Sequence, residues 1–352
     1  MNRKDEHVSL AKAFHKPHAN DFDEVRIVHQ SFTSNRFSDV SIATELFHHS
    51  FSSPFFINAM TGGSQWTKKI NQKLAIIARE TGLMMATGSV STALKAPETK
   101  DSFTIVRKEF PDGFLLANVG AGTSLENTQK AVDLFQADAL QIHLNTPQEL
   151  VMPEGDRDFT DWLLLLEKIA QYIEVPVIVK EVGFGMTRET ITQILDTGIK
   201  TVDVAGSGGT SFTQIENARR KKREFKYLDH FGQSTVESLL EAHEVNQDFN
   251  LIASGGIRNA FDIFKSLCLG AKMVGISGTI LNYLLTNGEQ ATIDLIEQWK
   301  NELQTLYTMC GALKTADLTK VPLILTGKPK NWCQARNIDE KQYSMRKAGG
   351  TN

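Results

Sequence analysis

Short apolar runs recur along the chain at 55–59, 84–86, 114–118, 139–144, 177–179, 201–204, 251–253 and 273–276. Runs this short and this apolar, set at regular intervals, predict buried strands. Between them the pattern changes to helical spacing with usable start signals at 64–81, 124–135, 159–173, 187–196, 232–243 and 259–267, and a further helical segment at 98–109 lies between Pro97 and Pro111. Eight strands alternating with helices predict an α/β chain closed as a (β/α)8 TIM barrel. A doubly wound sheet alternates in the same way, but it more often carries its phosphate-binding glycines after its first strand.

Here the glycines stand at the other end of the series. Leu251-Ile252-Ala253-Ser254-Gly255-Gly256-Ile257-Arg258 and Met273-Val274-Gly275-Ile276-Ser277-Gly278-Thr279 each read as a strand, a glycine turn and the start of a helix. Such turns let the backbone approach an anion without a Cβ in the way, and the N–H groups of the following helix point at it with the helix dipole behind them. In a barrel, the last two turns are a common phosphate site.

Outside the barrel, expected at 51–313, residues 1–50 are polar with little periodicity before 40–47 and read as an arm over the barrel mouth. Residues 206–231 read as a long loop carrying Arg219-Arg220-Lys221-Lys222-Arg223, either a lid or binding loop or a solvated basic face. A helical extension is expected at about 286–313, and 314–352 form a C-terminal tail whose part from 321 is covering or loosely ordered. The formal net charge of −3 gives no reason to expect a nucleic acid or a membrane as partner. Cys268, Cys310 and Cys333 lack metal-site spacing, and the charged start Arg3-Lys4-Asp5-Glu6-His7 lacks the apolar core of a signal peptide, so a cytoplasmic protein is expected.

Barrel enzymes work where the strands end, and the polar residues just past each run collect there. They are Thr61-Gly62-Gly63, Thr87-Gly88-Ser89-Val90-Ser91, Asn118, His143 to Glu149, Lys180 and the turn from Gly206 to Ser211. Lys180 ends a strand that should be buried on both sides, so its ammonium needs a partner. Either the electron-rich pyrimidine edge of a flavin or a strand-end carboxylate such as Glu181 would supply one. Glu149 suits a hard cation beside a diphosphate, or simply the start of a helix.

Taken in order, Arg3-Lys4-Asp5-Glu6-His7, Asn58-Ala59-Met60-Thr61-Gly62-Gly63, Thr87-Gly88-Ser89, His143-Leu144-Asn145 with Pro147-Gln148-Glu149, Val179-Lys180-Glu181-Val182-Gly183, Gly208-Gly209-Thr210-Ser211 and Ser254-Gly255-Gly256-Ile257-Arg258 resemble the type 2 isopentenyl diphosphate isomerases. The resemblance implies an FMN-dependent barrel with Ala59, Met60, Thr61, Ser89, Asn118, Lys180, Thr210, Gly255, Gly256, Arg258, Ser277 and Gly278 around the flavin. It implies Arg3, Lys4, Ser91, Gln148, Ser211 and Arg219 on the substrate, His143, Asn145 and Gln148 at the reacting end, and Glu149 on Mg²⁺. The implied reaction interconverts isopentenyl and dimethylallyl diphosphate with FMN reduced, NADPH as reductant and no net redox change, in a homo-oligomer of four or eight chains. The reasoning from residues agrees, because the strand ends offer few strong acids or bases and leave the chemistry to a cofactor.

Two rivals share these features. An FMN-dependent 2-hydroxy acid oxidase or dehydrogenase would need a histidine base and arginines near the sixth and seventh strand ends, where Val204-Ala205-Gly206-Ser207-Gly208-Gly209 offers no histidine. A non-catalytic flavin-binding protein would lack the Arg3-Lys4 or Gln148-Glu149 pair, and both are present.

Overall fold

The structure, a computed structural model, describes residues 3–15 and 19–347. Expectations touching 1–2, 16–18 and 348–352 lie outside the described residues. The eight runs are eight strands: β1 (Phe55–Ile57), β2 (Met85–Ala86), β3 (Leu115–Gly120), β4 (Ala139–His143), β5 (Val177–Lys180), β6 (Thr201–Asp203), β7 (Asn250–Ser254) and β8 (Met273–Ile276). Each pairs in parallel with its sequence neighbours, and β8 returns to β1 with Val274 opposite Phe55, so the sheet closes as the expected barrel.

Side chains along a strand alternate between the two faces of the sheet. The inward set begins apolar: Phe56, Met84, Leu116, Ala139, Ile178, Ile252 and Met273 form one cluster, joined at the lower end by Leu46 and Phe51 of the hairpin Thr44–Leu46 and His49–Phe51. Two residues further on the same inward positions turn polar, as Asn58, Asn118, Gln141, Lys180 and Ser254, all buried. Asp203 joins them, opposite Lys180 in register, while His143 stands opposite Lys180 on the other side. The outward residues, such as Ile57, Leu115, Val179 and Val202, pack under the helices in the larger outer core.

The helices start where their caps lie. Ser64 and Thr67 form a capping box at the head of Gln65–Thr81, and Gly82 ends that helix in the left-handed conformation at φ 63°. Thr187, Ser234 and Asn259 cap Arg188–Asp196, Thr235–His243 and Ala260–Cys268 in the same way. The 98–109 segment is a helix only from Asp101, preceded by one 3-10 turn at Pro97–Thr99. The later helical segment is two helices, Gly278–Asn287 and Glu289–Met309, separated at Gly288 with φ 88°.

Three regions differ from expectation. Arg3–Phe14 is a helix although only Val8 of it is buried, so its sequence carries almost no amphipathic signal. The 206–231 loop contains the helix Phe212–Arg219, and its basic run divides: Arg219 and Arg220 are tied down, while Lys221, Lys222 and Arg223 are solvated. The tail is ordered through the described residues, with Leu323–Leu325 pairing antiparallel to Val25–Ile27 and Gly327–Arg336 helical behind it. Its burial of Cys333 and Tyr343 explains why it stays in place.

Gly275 lies at the polar inner layer, where an added Cβ would sit 2.3 Å from the Asn58 amide nitrogen. Gly275→Ala is expected to cost roughly 1–3 kcal/mol of stability as an overpacked core position, read as a lower urea midpoint with an unchanged slope.

Candidate functional site

Two polar clusters meet at the C-terminal mouth of the barrel. The first is the inner layer. Asp203 Oδ1 accepts hydrogen bonds from Ser254 Oγ at 2.7 Å and Ala205 N at 3.2 Å, and Oδ2 accepts one from Asn58 Nδ2 at 2.9 Å. Gln141 Nε2 donates to Asn58 Oδ1 at 2.8 Å, Asn118 Nδ2 donates to Gln141 Oε1 at 3.1 Å, and His143 Nδ1 lies 2.8 Å from Asn118 Oδ1. Lys180 Nζ donates to the Glu181 carbonyl at 2.5 Å. Burial pushes the Lys180 ammonium down and the Asp203 carboxyl up, and their mutual attraction opposes both shifts. Burial also raises Glu181 to about 8. His143 is held at about 3, first by burial and then by the positive charges of Lys180 and Lys4, so it is a neutral imidazole at physiological pH.

The second cluster lies under the arm. Thr146–Val151 carries Gln148 and Glu149, and Phe212–Arg219 carries Glu216 and Arg219. Gln148 Nε2 donates to Glu216 Oε1 at 3.0 Å, and His7 Nε2 lies 3.0 Å from the same oxygen. Arg219 meets three carboxylates, Glu216 at 2.5 Å, Glu154 at 2.6 Å and Glu6 at 3.2 Å. Burial would raise Glu216, yet the contacts with His7, Gln148 and Arg219 outweigh it and hold its carboxyl at about 2. The arm is pinned again where Ser64 Oγ donates to Asp5 at 2.5 Å. Lys4 faces Glu216 and Glu149, and burial first, then Arg3, lowers it to about 8.

The glycine turns close the mouth on the other side. Gly255 and Gly256 have φ 88° and 73°, and a Cβ on Gly255 would stand 2.1 Å from the Gly206 carbonyl oxygen. A Cβ on Gly278 would meet Thr210 Oγ1 at 3.0 Å, so that turn faces the one after β6. Ser277 makes no side-chain cap at the head of Gly278–Asn287, leaving that helix start open to an anion. The Thr61 and Thr87 hydroxyls are buried without a partner. Bare helix N–H groups, unpaired hydroxyls and a buried ammonium make a donor set that fits a flavin mononucleotide, with its phosphate at the glycine turns and its polar ring edge at Lys180.

Some expected contacts are spent elsewhere. Arg258, expected at the flavin, directs its guanidinium to Asp23 at 2.7 Å and Asp262 at 2.7 Å, because the chain at 20–27 seals the outer side of the glycine turns. Ser211 caps the helix Phe212–Arg219 and donates to the Asp229 carbonyl. Arg219 is neutralised by its carboxylates. Asn118 has its amide N–H in the inner chain and its carbonyl toward His143, while Asn145 donates to Glu149 Oε1 at 2.9 Å. Ser89 donates to Ser91 at 3.2 Å, with Ala59 and Met60 half-buried at the rim. Glu149 Oε2 also accepts from Asp156 N, and no group of three or more His, Cys, Asp or Glu able to hold a metal occurs among the described residues.

His7, Glu216, Asn58, Gln141, Asp203 and Ser254 were not among the expected site residues. For Asn58, Gln141, Asp203 and Ser254 the signal was available in strand parity. For His7 and Glu216 there was none, since both lie on helices whose placement depends on the tertiary fold.

Fold and mouth together define a flavin barrel: the chain matches the family model of the FMN-dependent dehydrogenases over residues 120–324. The solved structures of a mandelate oxidase variant with an FMN adduct (TM-score 0.64, 15% identity, 91% of this chain and 92% of that one) and a putative lactate oxidase of Pediococcus acidilactici (TM-score 0.64, 16% identity, 92% and 88%) share the fold. The chain is 48% identical over 338 residues to the isopentenyl-diphosphate delta-isomerase of Latilactobacillus sakei, covering 96% of this chain and 97% of that one. It is 45% identical over 337 residues to that of Staphylococcus haemolyticus, with the same coverage. It belongs to the isopentenyl-diphosphate delta-isomerase family. Among the described residues no helix is long and apolar enough to cross a membrane.

The buried, neutral His143 makes a testable contribution to acid stability. Its folded pKa of about 3 lies below the ordinary 6.5, so below pH 6.5 the unfolded chain takes up a proton that the native state refuses. Native stability should fall by roughly 1.4 kcal/mol for each pH unit between about 6.5 and 3 through this residue alone. Glu216, lowered from 4.5 to about 2, contributes stability that is present above pH 4.5 and lost as the pH falls toward 2. His143→Gln should therefore flatten the pH dependence of the urea midpoint between 6.5 and 4.5, where Glu216 is silent.

Proposed function

We propose that this mouth interconverts isopentenyl and dimethylallyl diphosphate on reduced FMN, with NADPH as the reductant and no net oxidation of substrate. The observation that carries the reading is the arm helix, which is fixed over the strand ends by Asp5 on Ser64, Glu6 on Arg219 and His7 on Glu216, the carboxylate that also holds Gln148. The arm thus brings its cations Arg3 and Lys4 to the end of the barrel where the carboxylates and neutral hydrogen-bonding groups gather. A diphosphate with a short hydrocarbon tail uses all of these.

Arg3 and Lys4 bind the diphosphate, since charge-assisted contacts to phosphate oxygens are the strong kind. Glu149 holds Mg²⁺ only with the substrate: one carboxylate is a minimal protein share, and the diphosphate and water complete the shell of a hard cation. His143, Asn145 and Gln148 line the reacting end, where His143 is uncharged and Gln148 is oriented by the ionised Glu216. When bound, reduced FMN supplies the proton donor and acceptor for the shift of the double bond. Lys180 holds the anionic edge of the flavin, and the arm shields the reacting carbons from water. The chain acts at the membrane-free interior of the cell as a homo-oligomer.

The direct test follows product and flavin together. With FMN and NADPH present, isopentenyl diphosphate should convert to dimethylallyl diphosphate with deuterium taken up from D2O, while the flavin stays reduced. Flavin oxidation in step with product would replace this reading with a dehydrogenase. Lys180→Ala should lose flavin affinity or turnover with the barrel still folded, read by flavin titration and circular dichroism. Glu149→Gln should weaken the Mg²⁺ dependence, whereas Gln148→Ala should lower kcat with the Mg²⁺ titration little changed. Superimposable Mg²⁺ curves for wild type and Glu149→Gln would remove Glu149 from the metal site.

A further inference from the structure

The inner layer has a direction. Asn58 Oδ1 accepts from the Ala59 backbone N–H at 2.8 Å, and a backbone N–H can only donate, so that atom is the amide oxygen. Asn58 Nδ2 then faces Asp203 Oδ2, whose companion oxygen is held by Ser254 and the Ala205 N–H. Asn58 is fixed from both sides. Gln141 must present its NH2 to Asn58 Oδ1 and its oxygen to Asn118, and Asn118 must present its NH2 to Gln141 and its oxygen to His143 Nδ1. Turning any one amide over would set two oxygens, or two N–H groups, against each other in a buried layer.

We infer that Asn58 and Gln141 are positioning residues that act through Asn118 to fix His143 as the Nδ1–H tautomer, leaving Nε2 with its lone pair. Asn118 Oδ1 is an acceptor, so Nδ1 carries the proton. The other ring nitrogen lies over Gly120, where an added Cβ would stand 3.4 Å from Nε2. Gly275 belongs to the same device, since a side chain there would occupy the space of the Asn58 amide. Burial first, and then the positive charges of Lys180 and Lys4, keep the lone pair free of a second proton. His143 therefore keeps an acceptor at Nε2 on the side of Gly120, and the chain that selects it runs back through Asn118 and Gln141 to Asn58.

The inference rests on buried geometry rather than on the isomerase reading, and the tautomer is observed whether or not the protein turns over. The experiment labels the histidines of the FMN-loaded protein with ¹⁵N and records long-range proton–nitrogen correlations. His143→Gln identifies the signals of His143 among the nine histidines. A pyrrole-type Nδ1 and a pyridine-type Nε2 are expected. A pyridine-type Nδ1 in the wild type would overturn the inference at once, with no variant needed.

Gln141→Leu cuts the chain and frees the Asn118 amide to turn, so the single tautomer should give way to a mixture or to Nε2–H. Adding Asn118→Asp to Gln141→Leu should restore Nδ1–H, read at a pH where the ring is neutral, because a carboxylate has no NH2 to turn toward the ring. Asp203→Asn should leave the tautomer in place, since the Ala59 N–H still fixes Asn58. An unchanged tautomer in folded Gln141→Leu would show that the chain does not set it. Given the activity proposed above, Gln141→Leu should also lower kcat about a hundredfold with KM little changed.

Discussion

A charged or amide side chain inside a parallel barrel has no water to fall back on, so each must find all its partners in the same layer. In this chain that requirement is met by one carboxylate. Asp203 accepts from Ser254, Ala205 and Asn58 and lies level with Lys180, and the amides of Asn58, Gln141 and Asn118 carry the pattern across to His143. Remove the requirement and the top of the barrel would tolerate any apolar filling. With it, the identity of seven inward residues is fixed together. The apolar layer beneath, from Phe56 to Met273, supplies the dry floor that makes each unmet hydrogen bond expensive.

The fold was legible in the sequence because eight apolar runs and their glycine or Ser/Thr/Asn punctuation are local signals. The site was legible only in part. Reading polar residues past the end of each run picked out Lys180, His143, Gln148 and Thr61, which do lie together at the strand ends, but it overlooked Gln141 and Asp203, which stand within β4 and β6. Parity exposes them: a polar residue two places beyond an inward Ala139 must also point inward. The partners of Arg258 were illegible for a different reason. Its position beside Gly255 and Gly256 suits a phosphate, yet Asp23, more than two hundred residues away, takes its guanidinium.

No local pattern announces that the arm begins as a helix either. Arg3–Phe14 is polar on nearly every side, and isolated helices of that length are marginal in water. It is a helix because the barrel completes it, through Asp5 with Ser64, Glu6 with Arg219 and His7 with Glu216. The same contacts reach Gln148 through Glu216, so the seat of the arm and the orientation of Gln148 are one arrangement. Arg219, which the family resemblance sets on the substrate, is in this structure the cation on which Glu6, Glu154 and Glu216 converge.

The mandelate oxidase that shares this barrel differs from it at about 85 of every 100 aligned positions, and yet the fold persists. What a barrel of this kind does must therefore be decided by the inward side chains at the strand ends and by what covers them. Here the sixth strand ends in glycine and serine where a hydroxy-acid oxidase needs a histidine base. The histidine of this mouth stands on β4, uncharged and held by an amide. An imidazole held at about 3 by burial and then by the charges of Lys180 and Lys4 is a weak base, ill suited to take the hydroxyl proton that oxidation of a hydroxy acid requires, though it can still orient a hydrogen bond.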